Sequence, residues 1–268
     1  MADGVTTDLG VFDSGVGGLS VLRELRALLP HDIIVYVADS ANVPYGTKPP
    51  ALIRERSMAI ARFLVEKRQA RAVVVACNTA TTYAVDLLRQ TFSNVPFVGM
   101  EPAIKPAAAA TRSGVVGVQA TDATLDGERF ASLMKRHAEG IEVLTQSCPG
   151  LVEQVEAGEL SGPRTIDLLQ RYTAPLLTGG ADTIVLGCTH YPFLRDTLQD
   201  LVGPGVALID TAEAVARQTA RVLADGRHRV ATGAGRLVFY TSGDPNAVRP
   251  MLRRLWAEPV LEVNRLEV

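Results

Sequence analysis

Two cysteines of this sequence stand where a thiol could act as an acid or a base. The segments AVVVACNTATTYA (72–84) and DTIVLGCTHYPFL (182–194) each end an apolar run with a cysteine, Cys77 in the first and Cys188 in the second. Small polar residues follow directly, namely Asn78, Thr79, Thr189 and His190. A buried cysteine commonly serves only as a small apolar side chain, but polar neighbours disfavour that interpretation here. Two thiols on opposite sides of one carbon could each exchange a proton with it, which inverts a stereocentre.

The expected surroundings of these thiols favour a reactive form. A free cysteine titrates near roughly 8.5, and each of the two is predicted to precede a helix, whose amino end stabilises a thiolate and attracts a carboxylate. A modest downward shift of the thiol pKa would give a base that works at neutral pH. The third cysteine, Cys148, lies before Pro149 and is assigned to packing. The cysteine spacing matches neither a disulfide framework nor a zinc site, so we expect no metal.

The segment DSGVGG (13–18) follows the first apolar run and is rich in glycine. It could pass for a phosphate-binding loop, but the lysine and the Ser/Thr of a P-loop are missing. We interpret it as a tight strand-to-helix turn whose backbone can approach a small anion closely. Asp13 could orient an ammonium group or a neighbouring thiol. His190 could be an auxiliary acid or base, or a packed imidazole.

Short apolar runs alternate with helical stretches along nearly the whole chain, which predicts an α/β fold with mostly parallel sheets. The interval from Cys77 to Cys188 is 111 residues and that from Asp13 to Thr121 is 108 residues, so two similar halves are expected. Ligands of such sheets bind beyond the carboxyl ends of the strands, where all four residues fall. We therefore predict an active site between two similar α/β domains.

The segment at 100–114, rich in proline and alanine, suggests a passage between the two halves. We predict that residues 1–99 form the first part of domain A, that 100–210 form domain B, and that 211–268 return to domain A. Helical periodicity also predicts a helix at 51–67.

Composition excludes several classes of protein. Of 268 residues, 47% are apolar and 21% are charged, with a net charge of −2, which is typical of a globular protein without a basic field for nucleic acid. No apolar run approaches the roughly 18 residues of a membrane helix. The acidic start, MADGVTTDLG, lacks the basic region of a signal peptide. We therefore expect a cytoplasmic protein that binds neither nucleic acid nor membrane.

Two other classes of protein stay open on these residues alone. One is a regulatory module that binds an amino acid and uses its cysteines structurally. The other is a nucleotide-dependent enzyme that holds a phosphate on DSGVGG. Only an enzyme that inverts a stereocentre would exchange a Cα proton with solvent when no cofactor is added.

Seven segments, taken in order, carry a family resemblance. They are GVFDSGVGGLSVL, YVADSANVPYG, VVACNTAT, PFVGMEPAIKPA, LGCTHYPFL, LIDTAEAVA and FYTSGD. The sequence resembles the bacterial glutamate racemases of the cofactor-independent aspartate/glutamate racemase superfamily. The resemblance implies two α/β domains related by pseudo-twofold symmetry, with the active site in the cleft between them. It also implies reversible proton transfer at Cα of glutamate, supply of D-glutamate for peptidoglycan, and a homodimer.

The resemblance implies roles for single residues. Cys77 would deprotonate D-glutamate and Cys188 would deprotonate L-glutamate. The auxiliary acids and bases would be Asp13, Glu156 and His190. The substrate would be held by Asp13, Ser14, Tyr45, Gly46, Asn78, Thr79, Thr121, Thr124, Thr189 and His190.

The sequence departs from the family pattern at two positions. Ala123 replaces a customary glycine, and Glu153 stands where proline is usual. Neither change removes a catalytic group. Aspartate racemases of the same superfamily tend to differ in the residues that follow each cysteine, so CNTAT and GCTHY favour glutamate as the substrate.

Overall fold

The computed structural model describes residues 7–225, 234–256 and 262–267, and it confirms the predicted α/β fold. The described strands form two sheets in which neighbouring strands are parallel. The first sheet contains β1 (Leu9–Asp13), β2 (Ile33–Ala38), β3 (Ala72–Val75), β4 (Phe97–Val98), β9 (Arg236–Thr241) and β10 (Val263–Arg265). The second sheet contains β5 (Val115–Ala120), β6 (Glu142–Ser147), β7 (Thr183–Leu186) and β8 (Ala207–Ile209).

The two sheets share one connectivity. The first has the order β10-β9-β2-β1-β3-β4 and the second has the order β6-β5-β7-β8, so β5 to β8 repeat the places of β1 to β4. Cys77 lies two residues beyond β3, and Cys188 lies two residues beyond the equivalent strand β7. Asp13 ends β1, and Thr121 directly follows the equivalent strand β5. The repeat predicted from the two sequence intervals is confirmed.

Helices surround both sheets. They are α1 (Leu19–Leu28), α2 (Pro50–Arg62), α3 (Asn78–Thr91), α4 (Ile104–Ala110), α5 (Asp122–Leu125), α6 (Glu128–His137), α7 (Leu151–Glu156), α8 (Pro163–Thr178), α9 (Arg195–Val202), α10 (Ala212–Asp225) and α11 (Pro245–Leu255). The helix predicted at 51–67 is α2 extended by a π-helical turn, Phe63–Lys67. Short 3-10 helices lie at Tyr45–Thr47 and Tyr191–Leu194.

The central strands are mostly apolar because helices cover both faces of each sheet. Every residue of β1, β3 and β7 is buried, whereas the edge strands β6 and β8 are partly exposed. One apolar cluster is continuous across both halves, and each half has a second cluster on the other face of its sheet. The shared cluster holds the carboxyl ends of the two sheets close to one another.

The last part of the described chain rejoins the first sheet. β9 pairs with β2, β10 pairs with β9, and α10 packs against α1. This arrangement agrees with a return of the chain to the first domain, while the boundaries at residues 99/100 and 210/211 stay predictions.

The described ranges contain neither a membrane-spanning helix nor a cluster of metal-ligating side chains. None of the helices there has the length and apolarity needed to cross a bilayer. In the same ranges, no three or more His, Cys, Asp or Glu side chains are grouped so that they could hold a metal ion.

Candidate active site

The carboxyl ends of the two sheets meet at one small cavity. Its volume is about 10 Å³, room for roughly one water molecule. The first half contributes Ser14, Pro44, Tyr45, Gly46, Cys77, Asn78 and Thr79, and the second half contributes Thr121, Thr124, Val152, Cys188, Thr189 and His190. The structure therefore brings one thiol from each half to the same space, together with most of the polar residues expected beside them. Pro44 and Val152 are apolar wall residues that the sequence analysis did not select.

Cys77 caps the amino end of α3. Its Sγ accepts a hydrogen bond from the Ala80 amide at 3.4 Å and lies 4.0 Å from Ser14 Oγ. Burial, reinforced by the Asp13 charge, raises the pKa of Cys77 well above its ordinary value, and the Ala80 amide opposes this only in part. The predicted downward shift of the pKa is therefore wrong for Cys77, because the cost of desolvating a thiolate exceeds the stabilisation that one helix end provides. Cys77 is held as a thiol, the form that donates a proton.

Cys188 is not followed directly by an α-helix. The 3-10 helix Tyr191–Leu194 comes first and α9 begins at Arg195, so the prediction of a helix after this thiol is wrong. The Thr189 carbonyl, which a regular helix would use, accepts instead from Ser20 Oγ at 2.9 Å. The resulting turn brings the His190 ring back toward the thiol, with Nδ1 3.7 Å from Sγ. An imidazole thus replaces the helix end as the group that can stabilise charge on this sulfur.

Hydrogen bonds connect Cys188 to the first half of the molecule. His190 Nε2 lies 2.7 Å from Oε1 of Glu156, and the same carboxylate oxygen accepts from the Val16 amide at 2.8 Å. Burial by itself lowers the pKa of His190, but its hydrogen bonds to Cys188 and Glu156 outweigh burial and raise that pKa well above its ordinary value. An imidazolium in this position, between the sulfur and the carboxylate, can stabilise negative charge on the sulfur.

The glycines of the DSGVGG turn make room for these side chains. A Cβ on Gly15 would lie 1.9 Å from Oε1 of Glu156, and a Cβ on Gly17 would lie 2.3 Å from Nδ1 of His190. The turn does approach an anion with its backbone, and that anion is the protein's own Glu156 carboxylate. A phosphate-binding role for the turn is disfavoured, because the Val16 amide already has this partner.

Asp13 lies behind the cavity. It is fully buried and accepts a hydrogen bond from the Gly18 amide at 2.7 Å. Its carboxylate also contacts Ser14 Oγ at 3.4 Å and Thr189 Oγ1 at 3.5 Å, and both of these residues line the cavity. Burial raises the pKa of Asp13, although the His190 charge opposes this. Neither Asp13 nor Glu156 lines the cavity. Asp13 contacts the lining residues Ser14 and Thr189, and Glu156 contacts the lining residue His190.

Three threonine hydroxyls join the two halves at the cavity wall. Thr79 Oγ1 lies 3.0 Å from Thr121 Oγ1 and 3.4 Å from Thr124 Oγ1, and the last two hydroxyl oxygens are 3.0 Å apart. Each hydroxyl can donate one hydrogen bond and accept others. The triangle therefore holds three hydroxyl donors that a carboxylate could recruit.

Asn78 is a buried amide without partners. It is 4% exposed and lines the cavity, and neither Oδ1 nor Nδ2 makes a hydrogen bond in the described part of the chain. Burying an unpaired amide costs about 1–3 kcal/mol, so such groups are rare in folded proteins. An unpaired amide on a cavity wall is the arrangement expected of a ligand-binding residue.

Asp39, which directly follows β2, is a buried acid beside the site that was not predicted from the sequence. Its fully buried carboxylate accepts from the Tyr45 hydroxyl at 2.6 Å and from Nε and Nη2 of Arg56 at 3.1 and 3.0 Å. Burial raises the pKa of Asp39, but hydrogen bonds led by those of Arg56 outweigh burial and lower it. The Tyr45 ring is thereby fixed at the cavity wall. The strand-end argument that selected Asp13 applied equally to Asp39 and could have found it.

Both departures from the family pattern lie outside the cavity. Ala123 is partly exposed in α5, and Glu153 is exposed on α7. Helix α7 continues through Glu153 to Glu156, whose carboxylate reaches Val16. Neither substitution disturbs a hydrogen bond at the site.

The sequence pattern of the Asp/Glu/hydantoin racemase family matches residues 19–219, and the chain belongs to that family. Within it, the chain is similar to the glutamate racemase of Stutzerimonas stutzeri, with 54% identity over 96% of this chain and 97% of that protein. It is 58% identical to the glutamate racemase of Herpetosiphon aurantiacus over 88% of this chain and 93% of that protein.

Solved structures agree with these sequence relatives. The structure of Escherichia coli glutamate racemase in complex with L-glutamate and the activator UDP-MurNAc-Ala superposes with a TM-score of 0.87 at 36% identity, covering 98% of this chain and 99% of that chain. The resemblance to glutamate racemases that the seven segments indicated is confirmed. Membership of a racemase family also removes the alternative of a regulatory binding module.

Proposed function

We propose that this protein interconverts L-glutamate and D-glutamate by passing protons between the substrate and Cys77 and Cys188, without a cofactor. The observation that carries the proposal is that one thiol from each half lines the same cavity. The curated relatives named glutamate racemase, and the related Escherichia coli structure with L-glutamate, support glutamate as the substrate.

The chemistry balances as two proton transfers. From L-glutamate, the Cys188 thiolate takes the α-proton, and the electron pair of the C–H bond stays on the α-carbon. The Cys77 thiol then gives its proton to the opposite face, where that electron pair forms the new bond. The enzyme is left with a Cys77 thiolate and a Cys188 thiol, which is the state that accepts D-glutamate.

The protonation of the site supports this assignment of roles. Burial raises the pKa of Cys77 and so favours its thiol form. The raised pKa of His190, whose Nδ1 lies 3.7 Å from Cys188 Sγ and whose Nε2 contacts Glu156, favours an imidazolium that can stabilise charge on that sulfur. Asp13 lies close enough to raise the pKa of Cys77 and serves as the auxiliary group of that thiol. A helix end contributes only about 0.3–2 kcal/mol. Placement of the thiols and exclusion of water must therefore supply most of the acceleration.

Polar groups on the cavity wall match the charges of glutamate. We assign recognition of its ammonium and two carboxylates to Ser14, Tyr45, Gly46, Asn78, Thr79, Thr121, Thr124, Thr189 and His190, with Asp13 behind them. The unpaired amide of Asn78 and the threonine triangle are the donors that the structure leaves ready for an anion.

Glutamate needs more space than the closed cavity offers. Because about 10 Å³ accommodates roughly one water molecule, the halves must separate to admit the substrate. Contacts that cross between the halves, such as Thr79 with Thr121 and Val16 with Glu156, would open and then re-form around it. The closed arrangement excludes water during proton transfer.

Exchange of the α-hydrogen in deuterium oxide tests the proposal. The enantiomers have equal free energy, so kcat/KM must be equal in both directions for any variant, and comparing those values cannot separate the two thiols. In Cys77→Ser, the intact Cys188 should exchange the α-hydrogen of L-glutamate in preference to D-glutamate, and Cys188→Ser should show the reverse preference.

The matched control is Cys148→Ser, a buried cysteine that does not line the cavity. It should keep racemisation and both exchange reactions. Racemisation retained by Cys77→Ser and Cys188→Ser would end the proposal. Exchange with aspartate in place of glutamate would show that the substrate assignment is wrong.

We further propose that the protein acts in the cytoplasm, where its D-glutamate enters peptidoglycan synthesis, and that it forms a homodimer. The proposed division places domain A at residues 1–99 and 211–268 and domain B at 100–210. Size-exclusion chromatography with light scattering, and complementation of a D-glutamate auxotroph, test the dimer and the biological role respectively.

A further inference from the structure

Tyr36 is a fully buried tyrosine beneath the DSGVGG turn to which the proposed chemistry gives no role. It lies in β2, with its ring edge against Phe239. Its hydroxyl donates a hydrogen bond to the Gly15 carbonyl at 2.7 Å. A Cβ on Gly18 would lie 2.9 Å from the same hydroxyl oxygen, so the turn rests directly on this phenol.

The hydrogen bond from Tyr36 fixes the orientation of the peptide between Gly15 and Val16. The Gly15 carbonyl and the Val16 N–H belong to one planar trans peptide, so they point in opposite directions and turn together. Tyr36 fixes the carbonyl end of that plane, and Glu156 accepts from the N–H end at 2.8 Å. Gly15 leaves the ψ dihedral before this peptide permissive. A rotation of this peptide would turn the Val16 N–H away from Glu156.

The charges that face Tyr36 keep it a hydrogen-bond donor. Burial raises its pKa well above the ordinary value, and the charges of Asp13 and Glu156 raise it further. The phenol therefore keeps its hydrogen across the range of pH in which the neighbouring acids titrate. Its hold on the Gly15 carbonyl does not change with their protonation.

We infer that Tyr36 is a positioning residue, which orients the Gly15–Val16 peptide and through it the Glu156–His190–Cys188 chain of hydrogen bonds. The inference rests on the proposed racemisation for its catalytic consequence. Its structural part, that Tyr36 controls where Glu156 lies, does not depend on the substrate.

The test removes the hydroxyl alone, with Tyr36→Phe. Because a misplacement of about 1 Å can cost 10²-fold in rate, we expect kcat to fall by about 10- to 100-fold while KM stays within about twofold. The matched control is Tyr172→Phe, whose hydroxyl donates to the Pro149 carbonyl at 2.8 Å away from the cavity wall. It should lose comparable thermal stability and keep kcat. A kcat within twofold of wild type in Tyr36→Phe would overturn the inference.

A thermodynamic cycle shows whether Tyr36 acts through Glu156. In a Glu156→Gln background, where the carboxylate is already gone, Tyr36→Phe should reduce kcat by less than about twofold further. An undiminished further loss would show that Tyr36 acts by another route.

Two measurements keep the inference testable if the variant does not fold or glutamate is not the substrate. In the wild-type protein, the Val16 amide hydrogen should exchange slowly with solvent because it is hydrogen-bonded and buried, and fast exchange would refute the arrangement. In folded Tyr36→Phe, the NMR titration of His190, assigned with His190→Asn, should move to lower pH because Glu156 no longer holds the ring. An unmoved titration would refute the role of Tyr36 even if the protein does not racemise glutamate.

Discussion

A methyl group added at Gly17 tests whether the fit of the turn against His190 sets the chemistry. In Gly17→Ala, the new Cβ would lie 2.3, 2.5 and 2.7 Å from Nδ1, Cε1 and Cγ of the ring. To reach even 3.0 Å, the ring or the turn must move by about 0.7 Å. The ring is 1% exposed and is held by Glu156 at 2.7 Å, so it has little space to yield.

The expected losses of stability and of kcat follow from the His190 contacts that this movement breaks. Overpacking a filled site costs about 1–3 kcal/mol of stability. A shift of nearly 1 Å takes Nδ1 away from Cys188 Sγ, now 3.7 Å distant, or Nε2 away from Glu156. We expect kcat for racemisation to fall by about 10²-fold, measured by the optical rotation of glutamate. Gly205→Ala is the control, because a Cβ there meets nothing within 4 Å.

The stability difference between wild type and Gly17→Ala should also depend on pH. His190 has a raised pKa, so its contribution to stability is fully present below its ordinary value of 6.5 and is lost as the pH rises through the raised value. Gly17→Ala weakens the contacts that raise this pKa. The stability difference between wild type and the variant should therefore be largest at low pH and shrink on alkalinisation, as followed by thermal melting.

Two results would refute this reasoning. One is a Gly17→Ala enzyme with kcat within about twofold of wild type. The other is a stability difference that does not change with pH, which would show that the added methyl group leaves the contacts of His190 intact.

Three further substitutions have expected outcomes. Asn78→Leu removes two buried unpaired polar atoms, so it should stabilise the protein by about 1–3 kcal/mol in thermal melts. The KM for glutamate should rise at least tenfold in the same variant. A lower melting temperature would contradict this. Arg56→Met leaves the buried Asp39 carboxylate without its cation and should cost about 3–5 kcal/mol in denaturant titrations. Without Arg56, burial raises the pKa of Asp39, so the variant takes up a proton there at higher pH than wild type, and the cost should be largest at neutral pH and shrink as the pH falls; a cost independent of pH would refute it. Thr121→Val keeps the shape but loses a hydroxyl of the triangle, and it should raise KM about tenfold with kcat within threefold; an unchanged KM would remove Thr121 from substrate binding.

The order of elements could be predicted from local patterns. Apolar runs of four to six residues ended by polar residues located β1, β3, β5 and β7. The similar intervals from Asp13 to Thr121 and from Cys77 to Cys188 predicted two halves of one connectivity, which the sheets confirm. These signals are readable because strand burial and turn chemistry depend on neighbours close in sequence.

Other parts of the site needed contacts that no local pattern contains. The helix expected after Cys188 is a turn, because Ser20 takes the Thr189 carbonyl from another part of the chain. The position of Asp39 at a strand end is readable from the sequence, but its partners Arg56 and Tyr45 lie on other elements, so its role in fixing the Tyr45 ring is not.

The sequence by itself determined that two thiols end equivalent strands of a duplicated α/β chain, since strands, turns and repeats follow from residues near one another. Only the tertiary structure decided which thiol is held protonated and which has an imidazole beside it. Val16 and Glu156 are 140 positions apart in the chain, yet their hydrogen bond orients the partner of Cys188. Burial and long-range hydrogen bonds set the charge of a group, and both come into being only when distant segments pack together.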